Sequence, residues 1–157
     1  MLKIAKLISC TIGGILPITL LFSNQIEKNK ILNQMVNVSF EFINPRVDDL
    51  ELFFDYPFSY NMNQSTLLAT NQRDLKKLLK KLRKNFKKDY SHSEWKKLDV
   101  KLLNDEIAIV NAMYSRINKK GQTYFTGAAM YSFRKNNDKW KVFSITPLKP
   151  YNYFDFN

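Results

Sequence analysis

The sequence contains very few of the residues that build metal sites, disulfides and phosphate-binding loops. Its 157 residues include one cysteine, one histidine and four glycines. A single histidine, His92, excludes a multi-histidine metal site, and a lone cysteine cannot form a disulfide within the chain. The sequence has neither a Gly-rich phosphate loop nor a G-x-S-x-G motif. We therefore expect no bound metal and no cofactor.

The N-terminus has the pattern of a targeting segment. A basic start, "MLKIAK", precedes an uncharged stretch from Leu7 to Phe22, which is short for a membrane span and suits the apolar core of a signal peptide. Ser23 is a small residue at a cleavage point. Residues 1–23 are thus predicted to be a signal peptide or an uncleaved N-terminal anchor, and residues 24–157 the folded domain. The protein is expected to be exported (periplasmic or secreted), or membrane-anchored without cleavage.

A strongly basic stretch in the middle of the chain predicts a helix. "DLKKLLKKLRKNFKK" carries eight lysines and arginines, in a chain of net charge +11. At helical spacing its large apolar residues fall within an arc of about 100°, the width of a stripe that lies on a core: Leu75, Leu78, Leu79, Leu82 and Phe86. Asn71 is the predicted N-cap, with Asp74 three residues on.

The basic residues of this helix are then its solvated face. Nucleic-acid platforms need aromatic side chains among the exposed basic residues, and Phe86 points inward with the leucines. Nucleic acid is therefore not expected as a partner. Association with a membrane is limited to an uncleaved N-terminus or to weak electrostatic attraction between this basic face and anionic lipid.

Apolar spacing predicts helices early in the chain and strands late. An amphipathic helix over Ile26–Asn44 places Ile31, Met35, Val38 and Phe42 on one face, and a short helical piece follows in "RVDDLELFF". "YSHSEW" is interpreted as a polar loop. Four segments then alternate with period two: "KKLDVKLLN", "EIAIVNAMYSRI", "QTYFTGAAMYSF" and "KWKVFSIT". This order predicts an α+β fold, with the helices on one face of a curved antiparallel sheet.

Two turns predict the register of the late strands. "NKKGQ" is a three-residue hairpin loop with Gly121 in the left-handed conformation, so that Asn118 pairs with Gln122. This pairing places Ile109 beside Tyr131 and Ile107 beside Phe133 on an apolar face. A two-residue turn at the Asn136–Asp138 corner adds two further side chains to that face: Trp140 and Val142.

Several of these segments resemble the NTF2-like superfamily, the cone-shaped fold of ketosteroid isomerases, scytalone dehydratase and SnoaL-type cyclases. The matching stretches are "YPF" at 56–58, "YSHSEW" at 90–95, "DEIAIVNAMYSRINKKGQ" at 105–122 and "YSFRKNNDKWKVFSIT" at 131–146. The resemblance covers Ile31 to Pro147 and implies a cone in which N-terminal helices pack on a curved sheet. It implies no single activity, because this fold hosts enzymes, ligand binders and dimerisation modules.

Three residues are candidates for catalysis if the chain is an enzyme of this fold. His92 is a candidate general base at the mouth of a pocket. The resemblance to the isomerases makes Asp55 a candidate for abstracting a proton beside a carbonyl, aided by Tyr56. However, no carboxylate lies between Glu106 and Asp138 in the late strands, so the second, protonated acid of the isomerases is missing. The paired histidines of the dehydratases are missing too.

The incomplete catalytic set favours binding over catalysis. Four polar side chains are predicted to orient a ligand in a mostly apolar pocket: Tyr60, His92, Asn111 and Tyr131. The resemblance also implies a homodimer that pairs through the opposite face of the sheet, which carries Tyr114, Arg116, Tyr124 and Arg134. We expect an exported domain that binds a small apolar ligand or a protein partner without catalysis. The alternatives are a small isomerase or dehydratase, and an anchored adaptor whose basic face meets anionic lipid.

Overall fold

Helices come first and long strands last in the folded chain. The computed structural model describes residues 16–43, 50–153 and 156. In chain order the elements are α1 (Leu16–Ile43), α2 (Leu50–Phe53), β1 (Phe54–Met62), β2 (Ser65–Ala69), α3 (Gln72–Arg83), β3 (Tyr90–Leu102), β4 (Ile107–Asn118), β5 (Thr123–Asn136), β6 (Lys139–Leu148) and a 3-10 turn at Pro150–Asn152. The predicted α+β class, with helices packed on a curved sheet, is confirmed.

The strands form one curved, unclosed sheet in the order β2-β1-β6-β5-β4-β3. Neighbouring strands are antiparallel except β1 and β6, which run parallel. The sheet is therefore mixed, and the prediction of a purely antiparallel sheet is corrected. The parallel pair arises because β1 joins the sheet beside the last strand rather than beside β3. Register shifts interrupt several of these pairings, and such bulges bend strands and increase twist.

The segment "YSHSEW" belongs to β3 and is not a loop. His92 pairs with Ile117, and Trp95 pairs with Tyr114. This part of β3 was not predicted because its polar residues have the composition of a loop. They are polar because one side of the strand faces solvent, where the side chains of His92 and Glu94 are nearly half exposed. The extension of β3 back to Tyr90 gives the sheet a long edge strand, which α1 contacts.

The β4–β5 hairpin has the predicted loop but a different register beyond it. The backbone N–H of Asn118 donates to the carbonyl of Gln122 at 3.0 Å, and Gly121 has a φ of 77°. Ile117 then pairs with Thr123, but Arg116 pairs with Phe125, so Tyr124 is an extra residue on β5. A one-residue shift of this kind moves every later side chain of one strand to the opposite face.

The shift exchanges the two faces of β4. Ala108, Val110 and Ala112 join the core, whereas the register predicted from the loop had placed Ile107, Ile109 and Met113 there. The observed pairs are Val110 with Tyr131, Ala108 with Phe133 and Tyr114 with Gly127. Small residues on β4 leave room for the large side chains of β5, β6 and the helices, and this close packing favours the observed register.

Trp140 and Val142 lie on the core face, as predicted. Asn136 pairs with Lys139 across a two-residue turn, whose members Asn137 and Asp138 have φ angles of 49° and 59°. Left-handed residues at both positions match the right-handed twist of the flanking strands. Trp140 and Val142 are both nearly inaccessible to solvent.

Helix α3 lies on the core through its leucine stripe. Leu75, Leu78, Leu79 and Leu82 are all buried, which confirms the predicted orientation. Asn71 caps the helix, since its side-chain oxygen accepts a 3.0 Å hydrogen bond from the backbone N–H of Asp74. Burial of each leucine stabilises the fold by about 1.5–3 kcal/mol. The leucine stripe therefore determines how α3 packs on the core, and the basic side of the helix faces solvent.

Helix α1 is fastened to the sheet through Glu27. One carboxylate oxygen accepts a 2.6 Å hydrogen bond from the Trp140 indole and lies 3.2 Å from the ammonium of Lys135, while the other is 2.8 Å from Lys30. The Lys30 hydrogen bond, with those from Trp140 and Lys135, lowers the pKa of Glu27 to about 2 against the opposing effect of burial. Ile31 and Met35 of the same helix are fully buried.

The predicted targeting segment falls mainly outside the described residues. Residues 1–15 are not among them, and α1 runs without a break past the predicted cleavage point after Ser23. Cleavage there leaves Glu27 and its three contacts in the mature chain. Within the described part of the chain, no helix is long and apolar enough to cross a membrane. The side chains of Val38 and Phe42 also lie outside the described residues.

We expect Gly127→Ala to lower the free energy of unfolding by about 1–3 kcal/mol, the usual cost of overpacking. A Cβ atom on Gly127 would lie 2.6 Å from the Phe125 ring and 2.8 Å from Cζ and the hydroxyl oxygen of Tyr114. Urea unfolding measures the loss, and near-UV circular dichroism reports the displaced rings. Gly121→Ala is the control: it costs about 1–2 kcal/mol through its positive φ but leaves the near-UV spectrum unchanged. Identical spectra for both variants would contradict the packing argument.

Glu27→Gln is expected to cost about 1–3 kcal/mol at pH 7, because charge-assisted hydrogen bonds are replaced by weaker ones. The pKa of about 2 in the folded protein lies below the ordinary value of 4.5 for a glutamate. The ionised carboxylate therefore stabilises the fold above pH 4.5, and this contribution is lost as the pH falls from 4.5 towards 2.

Urea unfolding at pH 7 and pH 3 checks this prediction. The difference between wild type and Glu27→Gln should be smaller at pH 3. Glu106→Gln removes the same charge from an exposed residue and should change the free energy of unfolding little at either pH. An equal loss in both variants would rule out Glu27 as a specific fastening point.

Candidate ligand-binding site

A cavity opens on the helix-facing side of the sheet, between β1, β3, β4, β5, β6 and the segment after α3. Its volume is about 50 Å³, and the empty space including the open mouth is about 540 Å³. This is room for a few water molecules. Six aromatic side chains form most of the wall: Tyr60, Phe86, Tyr90, Trp95, Tyr114 and Tyr131.

The aromatic wall is rigidly packed around Trp95. Its indole ring meets Tyr114 edge to face at a centroid distance of 6.0 Å and Tyr131 at 5.8 Å. Edge-to-face pairs stabilise such clusters beyond the area they bury. Gly127, opposite Tyr114, allows the tyrosine ring to lie flat against the β5 backbone. The indole N–H of Trp95 is buried without a hydrogen-bond partner in the described part of the chain.

The tyrosines of the cavity are neutral hydrogen-bonding groups. Burial raises the pKa of Tyr60 to about 12, and it raises the pKa of Tyr131 well above the ordinary value of 10. Burial also raises the pKa of Tyr114, an effect that the positive charge of Arg116 partly offsets. The hydroxyl groups of Tyr90 and Ser93 lie 3.0 Å apart. At neutral pH these phenols are protonated, so they can donate and accept hydrogen bonds but cannot act as bases.

Arg116 supplies the positive charge of the cavity. Its guanidinium carbon lies 3.9 Å from the centre of the Phe86 ring, 4.6 Å from that of Phe125 and 5.6 Å from that of Tyr114. The Nε–H is buried and has no hydrogen-bond partner among the described residues. Ser93, Ala129, Ile145 and Pro147 complete the lining. Within the described chain, the lining therefore contains one cation and no Asp, Glu or His.

Two of the four predicted pocket residues, Tyr60 and Tyr131, line this cavity. His92 does not: its side chain is 47% exposed and contacts the Ser91 hydroxyl at 3.1 Å and the Glu94 carboxylate at 3.3 Å. Asn111 is buried on the opposite face of the sheet, because the register shift turns it away from Tyr131.

The predicted dimer-face residues are also redistributed by the register. Tyr114 and Arg116 line the cavity instead of the outer face. Tyr124, the bulge residue, has the ammonium of Lys87 5.0 Å from its ring centre. Arg134 lies on the outer face, where it pairs with Asp55 at 2.9 Å and its guanidinium stacks 4.5 Å from the Phe143 ring.

The three candidate catalytic residues are not assembled at the cavity. Asp55 is engaged by Arg134 on the outer face. Tyr56 packs against the core, its hydroxyl is buried without a partner in the described part of the chain, and burial raises its pKa to about 12. The side chain of His92 lies on the solvent-exposed side of β3. Among the described residues, no group of three or more His, Cys, Asp or Glu side chains is arranged to hold a metal ion.

The end of the chain contacts the outer face of the sheet. The backbone N–H of Phe156 donates to the carboxylate of Asp99 at 2.6 Å. The ammonium of Lys97 lies 4.7 Å from the ring centre of Tyr153. Lys97 and Asp99 are β3 residues whose partners on β4 are Met113 and Asn111. Part of the outer face is thus already in contact with the protein's own C-terminal segment.

Four of the lining residues that were not predicted lie between the end of α3 and the first half of β3. Phe86 was assigned to the helix core, and Tyr90, Ser93 and Trp95 were placed in a polar loop. Their spacing carried a usable signal, because Ser93 and Trp95 alternate with the polar residues His92 and Glu94 as they do along a half-buried strand. Extending the strand backward would have brought them to one face.

Comparisons with solved structures show the fold at low sequence identity. An NTF2-like protein with a cystatin-like fold from Novosphingobium aromaticivorans has a TM-score of 0.69 at 9% identity, covering 90% of this chain and 94% of that one. The association domain of C. elegans CaMKII has a TM-score of 0.62 at 10% identity, covering 80% and 97%. A putative scytalone dehydratase from Novosphingobium aromaticivorans has a TM-score of 0.58 at 17% identity, covering 79% and 84%.

The comparison with protein families is more specific. Among curated proteins, none matches this sequence significantly. The sequence profile of a family described as NTF2-like protein (DUF6841) matches residues 33–150. That range runs from α1 to the 3-10 turn and includes every strand of the sheet. The chain therefore belongs to the NTF2-like family DUF6841.

Proposed function

We propose that this protein is an exported binding protein whose cavity takes a small, mainly apolar ligand without converting it. The observation that supports the proposal most strongly is the composition of the cavity wall. Among the described lining residues it has six aromatic rings, neutral hydroxyl groups and no Asp, Glu or His. Pockets of this composition bind apolar ligands and orient them through a few polar groups. The NTF2-like fold supports either a ligand-binding or an isomerase-like domain, so the chemistry of the lining must decide between them.

The lining favours binding over isomerisation or dehydration. Proton abstraction beside a carbonyl needs a base within hydrogen-bond reach of the substrate. The phenols of the cavity have raised pKa values and hold their protons at neutral pH. The guanidinium of Arg116 is a hydrogen-bond donor and has no acceptor for a proton. The described cavity can therefore orient and desolvate a ligand but has no group suited to removing a proton from it.

The size of the cavity limits the ligand. The cavity volume of about 50 Å³ means that its inner part accommodates a short acyl chain or one edge of a ring. The cavity is open to solvent, so the remainder of a ligand can extend out of it. A ligand as large as a steroid would require the wall to move.

Export is proposed from the N-terminal pattern described above. Fractionation of cells producing the full chain, with a C-terminal tag, tests it. A band shortened by the length of residues 1–23 outside the cytoplasm would support a cleaved signal, and a full-length band in membranes an anchor. Full-length protein confined to the cytoplasm would contradict both.

Homodimerisation is proposed through the outer face around Arg134. The C. elegans protein among the similar structures is an association domain, and three half-buried apolar side chains, Ile107, Ile109 and Met113, lie on this face. Tyr153 and Phe156 contact the same face, so pairing would include the C-terminal segment. Light scattering of the purified chain should give twice the monomer mass, and a monomer at micromolar concentration would contradict the proposal.

The two tryptophans provide a direct assay for binding. Trp95 lies in the cavity wall, whereas Trp140 is bonded to Glu27 away from it. We expect small neutral compounds such as benzyl alcohol and cyclohexanol, at millimolar concentration, to shift the NMR resonance of the Trp95 indole N–H. Trp140 lines a separate pocket with Lys30 and Asp138, and its N–H is already hydrogen-bonded to Glu27, so its resonance should shift less. Absence of any shift at Trp95, or equal shifts at both indoles, would contradict a binding cavity.

Filling the cavity is expected to abolish these shifts. Ala129 lines the cavity, and Ala129→Leu should occupy its inner part. Ala128 is equally buried but lies on the other face, so Ala128→Leu is a matched control with a similar overpacking cost of about 1–3 kcal/mol. Binding lost in both variants, or retained in both, would place the ligand elsewhere.

Removal of the sequence-predicted catalytic groups should leave binding unchanged. His92→Ala and Asp55→Asn lie outside the cavity, so the NMR titrations of Trp95 should agree with wild type within about twofold, which is under 0.5 kcal/mol. A larger change in affinity, or turnover of a ketone or dienol substrate that either variant abolishes, would favour the isomerase alternative.

A further inference from the structure

Arg116 has the environment of a ligand-binding cation. Three aromatic rings surround its guanidinium plane at centroid distances between 3.9 and 5.6 Å. Rings attract the positive charge through their faces. Among the N–H donors along the edge of the plane, the guanidinium makes one hydrogen bond to the Tyr114 hydroxyl oxygen. The guanidinium has five such donors, and the buried Nε–H has no partner within the described chain.

No counter-ion balances this charge within the described part of the protein. None of the ion pairs formed by described residues includes Arg116. Arg134, the other ring-stacked arginine described above, pairs with Asp55. The other charge near this site is also positive. Burial raises the pKa of Tyr90, and the positive charges of Arg116 and Arg83 both oppose this rise, so both arginines lie near Tyr90. A partly buried cation without a partner is costly, and an anion entering the cavity would relieve that cost.

We propose that the ligand of this cavity is a small monocarboxylate, whose carboxylate pairs with Arg116 and whose apolar body lies against the aromatic wall. This inference rests on the proposed ligand-binding function. The planar fork of a guanidinium matches the two oxygens of a carboxylate. The protonated hydroxyls of Tyr60 and Tyr114 share the cavity with Arg116 and can donate further hydrogen bonds.

The dimensions of the cavity favour a carboxylate over a phosphate ester. A carboxylate adds one carbon and two oxygens to the apolar body, and its flat shape fits beside stacked rings. A tetrahedral phosphate is bulkier and cannot lie flat beside the rings that flank Arg116. Short aliphatic acids and single-ring aromatic acids are therefore the expected class.

Paired acids and amides of the same shape test the proposal. Benzoate is compared with benzamide, and butyrate with butyramide, by titration of the Trp95 indole resonance at pH 7. Each acid is expected to bind at least about tenfold more tightly than its amide, since a carboxylate pairs with the guanidinium through two charged oxygens whereas the amide offers one neutral acceptor. Equal affinities within a pair would overturn the carboxylate assignment and leave the binding function intact.

Substitution of Arg116 identifies the group that is responsible. Arg116→Met keeps a long side chain among the rings and removes the charge, so acid affinity should fall at least about tenfold and amide affinity by a clearly smaller factor. Arg116→Lys keeps the charge without the planar fork and should fall between the two. Arg134→Met removes an identical charge, also stacked on a ring, from the outer face and should leave all four titrations unchanged.

The outcomes separate this inference from the function on which it rests. Loss of acid binding in Arg116→Met and in Arg134→Met alike would mean that net charge, not this site, attracts the acids. If neither acid shifts Trp95 while benzyl alcohol does, the cavity binds neutral ligands and the carboxylate assignment is wrong. If no compound shifts Trp95, the binding cavity itself is refuted. For each variant, the dispersion of the backbone N–H resonances in the NMR spectrum shows whether the fold is retained. If Arg116→Met does not fold, Arg116→Lys provides the test.

Discussion

The extra residue at Tyr124 sets the register of the β4–β5 hairpin, and the cavity depends on that register. Without it, Tyr114 and Arg116 would project from the outer face and Ile109 would oppose Tyr131. With it, Tyr114 lies over Gly127 and Arg116 reaches the rings of Phe86 and Phe125. One bulge thereby turns two residues that would otherwise face outward into lining residues of the cavity, and bulges are frequent beside functional sites.

The helices hold this arrangement in place from two directions. The leucine stripe of α3 packs on the sheet, and the chain leaving α3 carries Phe86 to the mouth of the cavity. Helix α1 is fastened at Glu27 to Lys135 and Trp140, close to the turn between β5 and β6. Apolar burial supplies most of the stabilisation, while the charged contact of Glu27 fixes where α1 meets the sheet. The cavity lies in the part of the concave face that neither contact fills.

Local patterns predicted much of the fold. Leucines at helical spacing indicated the buried face of α3, and both hairpin turns followed from Gly121 and the Asn-Asn-Asp corner. The parallel pairing of β1 with β6 was not predictable in this way, because it joins segments more than 80 residues apart. Nor was the register of β4, since both of its faces are apolar: Ile107, Ile109 and Met113 on one, Ala108, Val110 and Ala112 on the other. An alternation pattern specifies register where one face is polar.

The candidate site shows the same division. Composition and spacing by themselves determined that the chain has no multi-histidine metal site and no phosphate loop, and that its early helices cover a late sheet. The tertiary structure alone decided that Tyr60, Tyr114 and Tyr131 share a cavity with Arg116, while His92 and Asp55 lie apart from it. The physical reason is that helix faces and tight turns are local properties of the chain. A cavity is formed by side chains from distant strands, and packing across the whole sheet sets their mutual register.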